Sequence, residues 1–102
     1  MTTTEPQTMT VSTRLDIASP SVKSLRSWLR RWDRWHTAID AYQNGAEYPS
    51  VRLMPSKESK HRAYGAASHI LRCLPELPQD RPTTVDGLRK VLADLDAFRV
   101  SQ

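Results

Sequence analysis

The sequence predicts a small all-α protein, a three-helix bundle with a long first helix and a disordered N-terminal tail. Apolar residues recur at three- and four-residue steps in three separate segments, which is the period of a helix buried along one side. Residues that favour helix starts and stops flank these segments. No stretch alternates apolar and polar residues for long enough to indicate a sheet, so three helices around one core are the simplest architecture.

The first helix is predicted over residues 20–44. Ser19 offers a capping oxygen, Pro20 suits the first helical position, and Asn44-Gly45 is a typical stop signal. At 1.5 Å per residue such a helix is about 37 Å long. Its apolar stripe contains Val22, Leu25, Leu29, Trp32, His36 and Ile39, and Trp28, Trp35 and Tyr42 lie along the flank of that stripe.

Two shorter helices are predicted over residues 57–74 and 84–98. Ser56 precedes the second helix, and Thr83 with Asp86 forms a variant of the capping box at the start of the third. The proline-rich connector PELPQDRP is too long for the tight turn of a helix-turn-helix motif. The apolar faces contain Ala63, Ala67, Ile70 and Leu74 in the second helix, and Val85, Leu88, Val91, Leu92, Leu95 and Phe98 in the third.

The chain is predicted to consist of a mobile tail over residues 1–18 and a single helical domain over residues 19–102. The opening MTTTEPQTMTVST has too few large apolar residues to offset the entropy lost on ordering it. No apolar run approaches the roughly 18 residues of a membrane span, and the start lacks the basic-then-apolar order of a signal peptide. We therefore expect a cytoplasmic protein without a membrane partner.

The residue groups that usually indicate an enzyme are missing from the sequence. The three glycines stand singly, so they do not form a phosphate-binding loop. A metal candidate exists in His69 and Cys73, one helical turn apart, with His61 two turns earlier. Structural zinc needs four ligands, commonly as two close pairs, and a second pair is absent. We expect no catalytic residue, no cofactor and no metal, and we interpret Cys73 as a small apolar residue of the core.

The positive charge is concentrated in the first two thirds of the chain. The net charge is +4, and residues 20–44 hold five basic and two acidic side chains. Residues 52–72 hold five basic side chains and one acidic side chain, whereas residues 76–102 hold four basic and five acidic side chains. A partner with negative charge would therefore meet the first two helices.

The run Ser56 to Arg62 is the most suggestive segment for binding. Cations in a first helical turn oppose the helix dipole at a cost of a few tenths to about 1 kcal/mol each. Basic side chains, serine hydroxyls and unpaired backbone N–H groups together suit a phosphate or an acidic protein surface. The alternative is a solvated basic turn that binds nothing. Trp28 and Trp35, at the edge of the apolar stripe, are either core residues or contacts for a partner.

The leading hypothesis is an accessory or regulatory protein that docks through a basic helical face on nucleic acid or on a nucleic-acid-handling complex. The alternative is a phage- or plasmid-encoded inhibitor or adaptor that binds a protein surface of a host machine. Neither predicts sequence-specific reading of DNA, because no recognition signature is present. The candidate partner-binding residues are Arg26, Arg30, Arg34, Lys57, Lys60, His61, Arg62, Trp28 and Trp35.

Overall fold

Three α-helices dominate the computed structural model, which describes residues 9–102. They are α1 (Val11–Gln43), α2 (Lys57–Cys73) and α3 (Val85–Val100), and a single 3-10 turn at Val51–Leu53 precedes α2. Residues 9–102 contain no β-strand. The predicted all-α three-helix bundle with a long first helix is confirmed.

Helix α1 begins well before its predicted start. Thr10 caps it by accepting a hydrogen bond from the backbone N–H of Thr13 at 3.1 Å, so Pro20 lies inside the helix. The prediction that the helix starts at Pro20 is therefore wrong. Tertiary packing provides the reason, since Ala18 is completely buried and Leu15 packs against the core. Of the predicted tail, residues 11–18 are helical, and residues 1–8 lie outside the described residues.

The other helix ends lie close to their predicted positions. Asn44 ends α1, and Gly45 follows with a φ of 104°, which only glycine adopts without strain. Ser56 caps α2 through a hydrogen bond from the N–H of Ser59. Thr84, rather than Thr83, caps α3 by accepting a hydrogen bond from the N–H of Gly87.

Helix α1 is antiparallel to both α2 and α3. Ser21 and Trp28 of α1 contact His69 and Ser59 of α2 respectively. Two ion pairs join α1 to α3 in the same opposed order, Arg26 with Asp96 and Asp33 with Arg89. Helices α2 and α3 therefore run in the same direction, and the connector between them returns along the bundle.

The connector is packed against the helices. Leu77 and Pro82 are buried in it, and the side-chain amide of Gln79 donates to the carbonyl oxygens of Leu71, Leu74 and Leu77. The bonds to Leu71 and Leu74 satisfy acceptors that the end of α2 leaves open. Residues of all three helices and of the connector form one core, whose fully buried members are Ala18, Leu25, Ala67, Ile70, Leu74, Leu88 and Leu95. None of the helices within residues 9–102 has the length and apolar composition that a membrane span needs.

Candidate nucleic-acid interface

Half of the ten acidic side chains within residues 9–102 form ion pairs within the fold. Five ion pairs connect four cations with five acids, and three of these pairs join different parts of the chain. They are Arg14–Glu76, Arg26–Asp96, Arg89–Asp33, Arg89–Asp86 and Lys90–Asp94. This pairing decides which cations remain available at the surface.

The middle of α1 carries four exposed cations that have no ion-pair partner within residues 9–102: Lys23, Arg30, Arg31 and Arg34. We call them the α1 basic face. Asp33 lies between them in sequence, but the Arg89 guanidinium donates to its two oxygens at 3.0 and 2.8 Å. These bonds hold the pKa of Asp33 below its ordinary value and direct the carboxylate toward α3. The α1 basic face is therefore not neutralised by its own helix.

A shallow groove between α1 and α2 extends the α1 basic face. Arg31 and Arg62 line this groove of about 170 Å³, together with Ser24 and Ser27 of α1. Neither of these two serine hydroxyls bonds to another residue in the described part of the chain. Guanidinium and hydroxyl groups are common ligands of phosphate oxygens. We call this the serine groove.

The structure brings some of the predicted basic residues together and separates others. Arg30 and Arg34 belong to the α1 basic face, and Arg62 joins it through the serine groove. In contrast, Arg26 is held by Asp96 at 2.8 Å, which removes it from the set of unpaired cations. His61 lines a different groove, with Tyr64, Arg81 and Pro82.

The two predicted lysines of α2 differ in their surroundings. The Lys60 ammonium lies 5.4 Å from the centre of the Trp32 ring, which is a cation–π contact. Lys57 is exposed and has no acidic partner among the described side chains. The predicted cations therefore do not form one continuous face.

Two of the three tryptophans are buried, which favours the core alternative over a partner contact for Trp28 and Trp35. Trp28 is 5% exposed and Trp35 is 9% exposed, so these two candidate residues do not present their rings to a partner. Trp28 donates through Nε1 to the Ser59 hydroxyl at 3.0 Å, and Trp35 contacts the edge of Tyr48 at 6.3 Å between ring centres. Trp32, predicted as core, is only half-buried. The reason is that α2 and the loop after α1 cover the flank of the apolar stripe.

Sequence reasoning missed four residues of this surface: Lys23, Arg31, Ser24 and Ser27. A helical projection of residues 20–44 places Lys23 and Arg31 on the polar side of α1, and that signal was available. The serines had no detectable signal, because their role depends on the position of Arg62 across the groove.

Sequence reasoning also missed an exposed apolar end of the molecule. Tyr42, Tyr48, Val51 and Met54 are exposed large hydrophobic side chains that follow one another at the end of α1 and in the loop after it. The rings of Tyr42 and Tyr48 meet edge to face at 5.0 Å between centres. We call this group the aromatic end. Its tyrosines and methionine are residue types enriched at protein interfaces.

Residues 9–102 do not bring three potential metal ligands together in any one place. Comparison of the chain with protein-family models, with curated proteins and with solved structures gives no match.

Proposed function

We propose that this protein is a non-catalytic accessory or regulatory protein of the cytoplasm that docks on nucleic acid or on a nucleic-acid-handling complex. The binding surface consists of the α1 basic face and the serine groove. The observation that carries the proposal is the uneven pairing of charge. Arg14 and Arg26 pair with acids of the connector and α3, and Arg89 and Lys90 of α3 also have acidic partners, whereas Lys23, Arg30, Arg31 and Arg34 have no such partner among residues 9–102.

The dimensions of this surface agree with a short stretch of nucleic acid. Lys23 and Arg34 are eleven positions apart in α1, which corresponds to about 17 Å along the helix axis. Duplex DNA rises about 3.4 Å per base pair, so this length covers about five base pairs. Contacts of this kind release counterions from the phosphates and do not read sequence.

The proposal is tested by reversing charge at matched positions. In the Arg30→Glu/Arg34→Glu variant, we expect affinity for random duplex DNA and random RNA at about 50 mM salt to fall by more than tenfold. The control variant, Arg52→Glu/Arg81→Glu, changes net charge equally at exposed sites outside the proposed surface. We expect the affinity of this control variant to fall only a fewfold. Fluorescence anisotropy measures the affinities of both variants.

Two outcomes would contradict the proposal. Equal losses in the two variants would show that net charge, rather than the α1 basic face, determines binding. Undetectable binding of the parent protein at about 50 mM salt would remove nucleic acid as the partner, since electrostatic contacts are strong at low salt. Circular dichroism confirms that the variants remain helical.

The alternative function, a phage- or plasmid-encoded inhibitor or adaptor of a host machine, is favoured by the aromatic end. Exposed tyrosine and methionine side chains next to Arg52 have the composition of an interface hot spot. In this case, a partner captured from host extract resists nuclease treatment. The Tyr42→Ala/Tyr48→Ala variant no longer captures this partner, whereas the Arg30→Glu/Arg34→Glu variant still does. This pattern is the reverse of the one expected for binding to nucleic acid.

A further inference from the structure

A serine, a histidine and a cysteine form a hydrogen-bonded row between α1 and α2. The Cys73 Sγ lies 3.6 Å from Nε2 of His69, and Nδ1 of His69 lies 2.9 Å from the Ser21 hydroxyl. All three side chains are half-buried. The row joins a nucleophile to a base and the base to a third group that fixes its orientation, which is the general arrangement of an activated thiol. The row shares no residue with the surface proposed to bind nucleic acid.

The row opens into a cleft of about 650 Å³, within the range of sites for small molecules. His69 and Cys73 line it, and the other lining residues are Met9, Arg14, Ile17, Arg72, Pro75 and Glu76. The wall is thus largely apolar, with two arginines and one glutamate.

The cationic groups of the cleft favour an anionic ligand. Arg14 pairs with Glu76 and also donates from Nη1 to the Cys73 carbonyl at 3.3 Å. Its buried Nε has no hydrogen-bond partner among residues 9–102. Arg72 is exposed and forms no ion pair with another described residue, so the net charge of the lining side chains is positive.

The hydrogen bond to Ser21 is compatible with a tautomer in which His69 can act as a base. When Nδ1 carries the ring proton and donates to the Ser21 oxygen, Nε2 has a lone pair directed at the Cys73 thiol. The thiolate is the reactive form of cysteine, and a neighbouring imidazole generates it by accepting the proton.

We propose that Cys73 is a site of thiol–disulfide exchange with small anionic disulfides that bind in this cleft. His69 takes the proton from Sγ, and the sulfur attacks one sulfur of the disulfide. A new S–S bond forms to Cys73 while the original S–S bond breaks, and its electron pair leaves with the other sulfur as a thiolate. The His69 imidazolium then protonates that thiolate. The product is a mixed disulfide at Cys73.

A disulfide fits the cleft better than an acyl substrate does. Attack on a carbonyl carbon develops an oxyanion, which needs two or more directed donors in the wall. Two of the three guanidinium nitrogens of Arg14 are engaged by Glu76 and by the Cys73 carbonyl, which leaves its buried Nε as the one donor held in place. Arg72 is exposed and forms no ion pair within residues 9–102 that would direct it. Exchange at sulfur requires only a thiolate, access to the disulfide and a proton for the leaving group.

The test measures second-order rate constants with the full chain and two probes: 5,5′-dithiobis(2-nitrobenzoate), which is anionic and aromatic, and cystamine, which is cationic. Each rate constant is divided by that of N-acetylcysteine with the same probe, which removes the intrinsic reactivity of the disulfide. We expect the parent to exceed N-acetylcysteine by about tenfold with the anionic probe at neutral pH, and by less with cystamine. Mass spectrometry then shows one adduct, since Cys73 is the only cysteine.

Single substitutions test the role of His69 as the base separately from the role of the cationic cleft. His69→Gln is expected to slow both probes about tenfold, and His61→Gln, which changes an exposed histidine of the same helix, leaves the rates unchanged. Arg72→Gln slows the anionic probe alone, by a fewfold. A parent rate at or below that of N-acetylcysteine would overturn the proposal, as would a His69→Gln variant as fast as the parent. Circular dichroism shows whether a slow or fast variant has kept its fold.

Discussion

At the scale of single residues, the Ser59 hydroxyl forms a buried polar contact between α1 and α2. It accepts a hydrogen bond from the Trp28 indole at 3.0 Å and donates one to the Ser56 carbonyl at 2.8 Å. Ser59 is only 8% exposed. The Ser59 hydroxyl is thus engaged within the fold. Within the run Ser56 to Arg62, which was predicted to suit a phosphate, Ser59 is a buried residue.

We predict that Ser59→Ala destabilises the protein by about 1–3 kcal/mol. The change leaves the buried indole N–H of Trp28 without its acceptor, and an unsatisfied buried donor costs about that much. Urea denaturation measures the loss. Ser24→Ala, at an exposed position of the serine groove, is the control and stays within about 0.5 kcal/mol of the parent. Parental stability in Ser59→Ala would mean that the indole finds another partner.

Glu76 links stability to pH. Hydrogen bonds from Arg14 lower the pKa of Glu76 from an ordinary value of 4.5 to about 2. Between pH 4.5 and about 2, the unfolded chain binds a proton that the folded chain does not, so the stabilisation is complete above this window and is lost as the pH falls through it. The effect is small, because the Glu76 side chain is 38% exposed and water screens the pair.

We predict that Glu76→Gln reduces the acid dependence of stability between pH 4.5 and 2. Part of the dependence persists, because Arg89 also lowers the pKa of Asp33. The control is Glu47→Gln, which removes an exposed carboxylate that forms no ion pair with the described residues. Chemical denaturation at a series of pH values tests this, and identical pH profiles for Glu76→Gln and the parent would contradict it.

At the scale of the elements, the start of α1 shows where local sequence signals fail. Ser19-Pro20 has the residues of a helix start, yet the helix continues through it. Contacts distant in sequence overrule the local signal: Ala18 is buried in the core, and Arg14 pairs with Glu76 of the connector. The ends of α2 and α3 were predictable within a few residues, because their caps and apolar periods agree with the packing.

We predict that Pro20→Ala stabilises the protein by about 1–2 kcal/mol. Proline inside a helix lacks the N–H that would bond to the Asp16 carbonyl and costs about 3 kcal/mol there. Proline also restricts the unfolded chain, which offsets about 0.5–1 kcal/mol of the gain. Pro20 is exposed, so its ring provides little core packing. Thermal or urea denaturation would contradict the prediction by showing a less stable variant.

The candidate site was predictable only in part. The excess of cations in residues 20–44 is visible in the sequence, and two of the candidate residues there, Arg30 and Arg34, form no ion pair within residues 9–102. The pairing of Arg26 with Asp96 and the burial of Trp28 could not be read from α1, because both depend on where α2 and α3 pack. Helical period shows which residues share a side of α1, but it does not show which side each neighbouring helix covers.

At the scale of the whole molecule, the α1 basic face and the aromatic end occupy different regions of an elongated body of 66 × 27 × 20 Å. The α1 basic face lies in the middle of α1, and the aromatic end lies at the last turn of α1 and in the loop after it. A long ligand and a compact protein partner would therefore contact different parts of the surface. Dependence of binding on salt distinguishes contacts made by the first region from contacts made by the second.

The salt dependence of DNA binding distinguishes an unpaired cation of the α1 basic face from a cation held in an ion pair. If the four cations of the α1 basic face and Arg62 each neutralise one phosphate, the protein makes five phosphate contacts. At roughly 0.9 per contact, the log–log slope of affinity against salt is then about −4.5 for duplex DNA. Replacing Arg31 by glutamine reduces the magnitude of the slope by about 0.9. Arg26→Gln is the matched control on the same helix, and it leaves the slope nearly unchanged because Asp96 already neutralises this side chain. Titrations by fluorescence anisotropy between about 50 and 200 mM salt measure the slopes. Equal reductions in the two variants would show that the ion pairs of the fold do not select the binding cations, and the assignment of the surface would then be wrong.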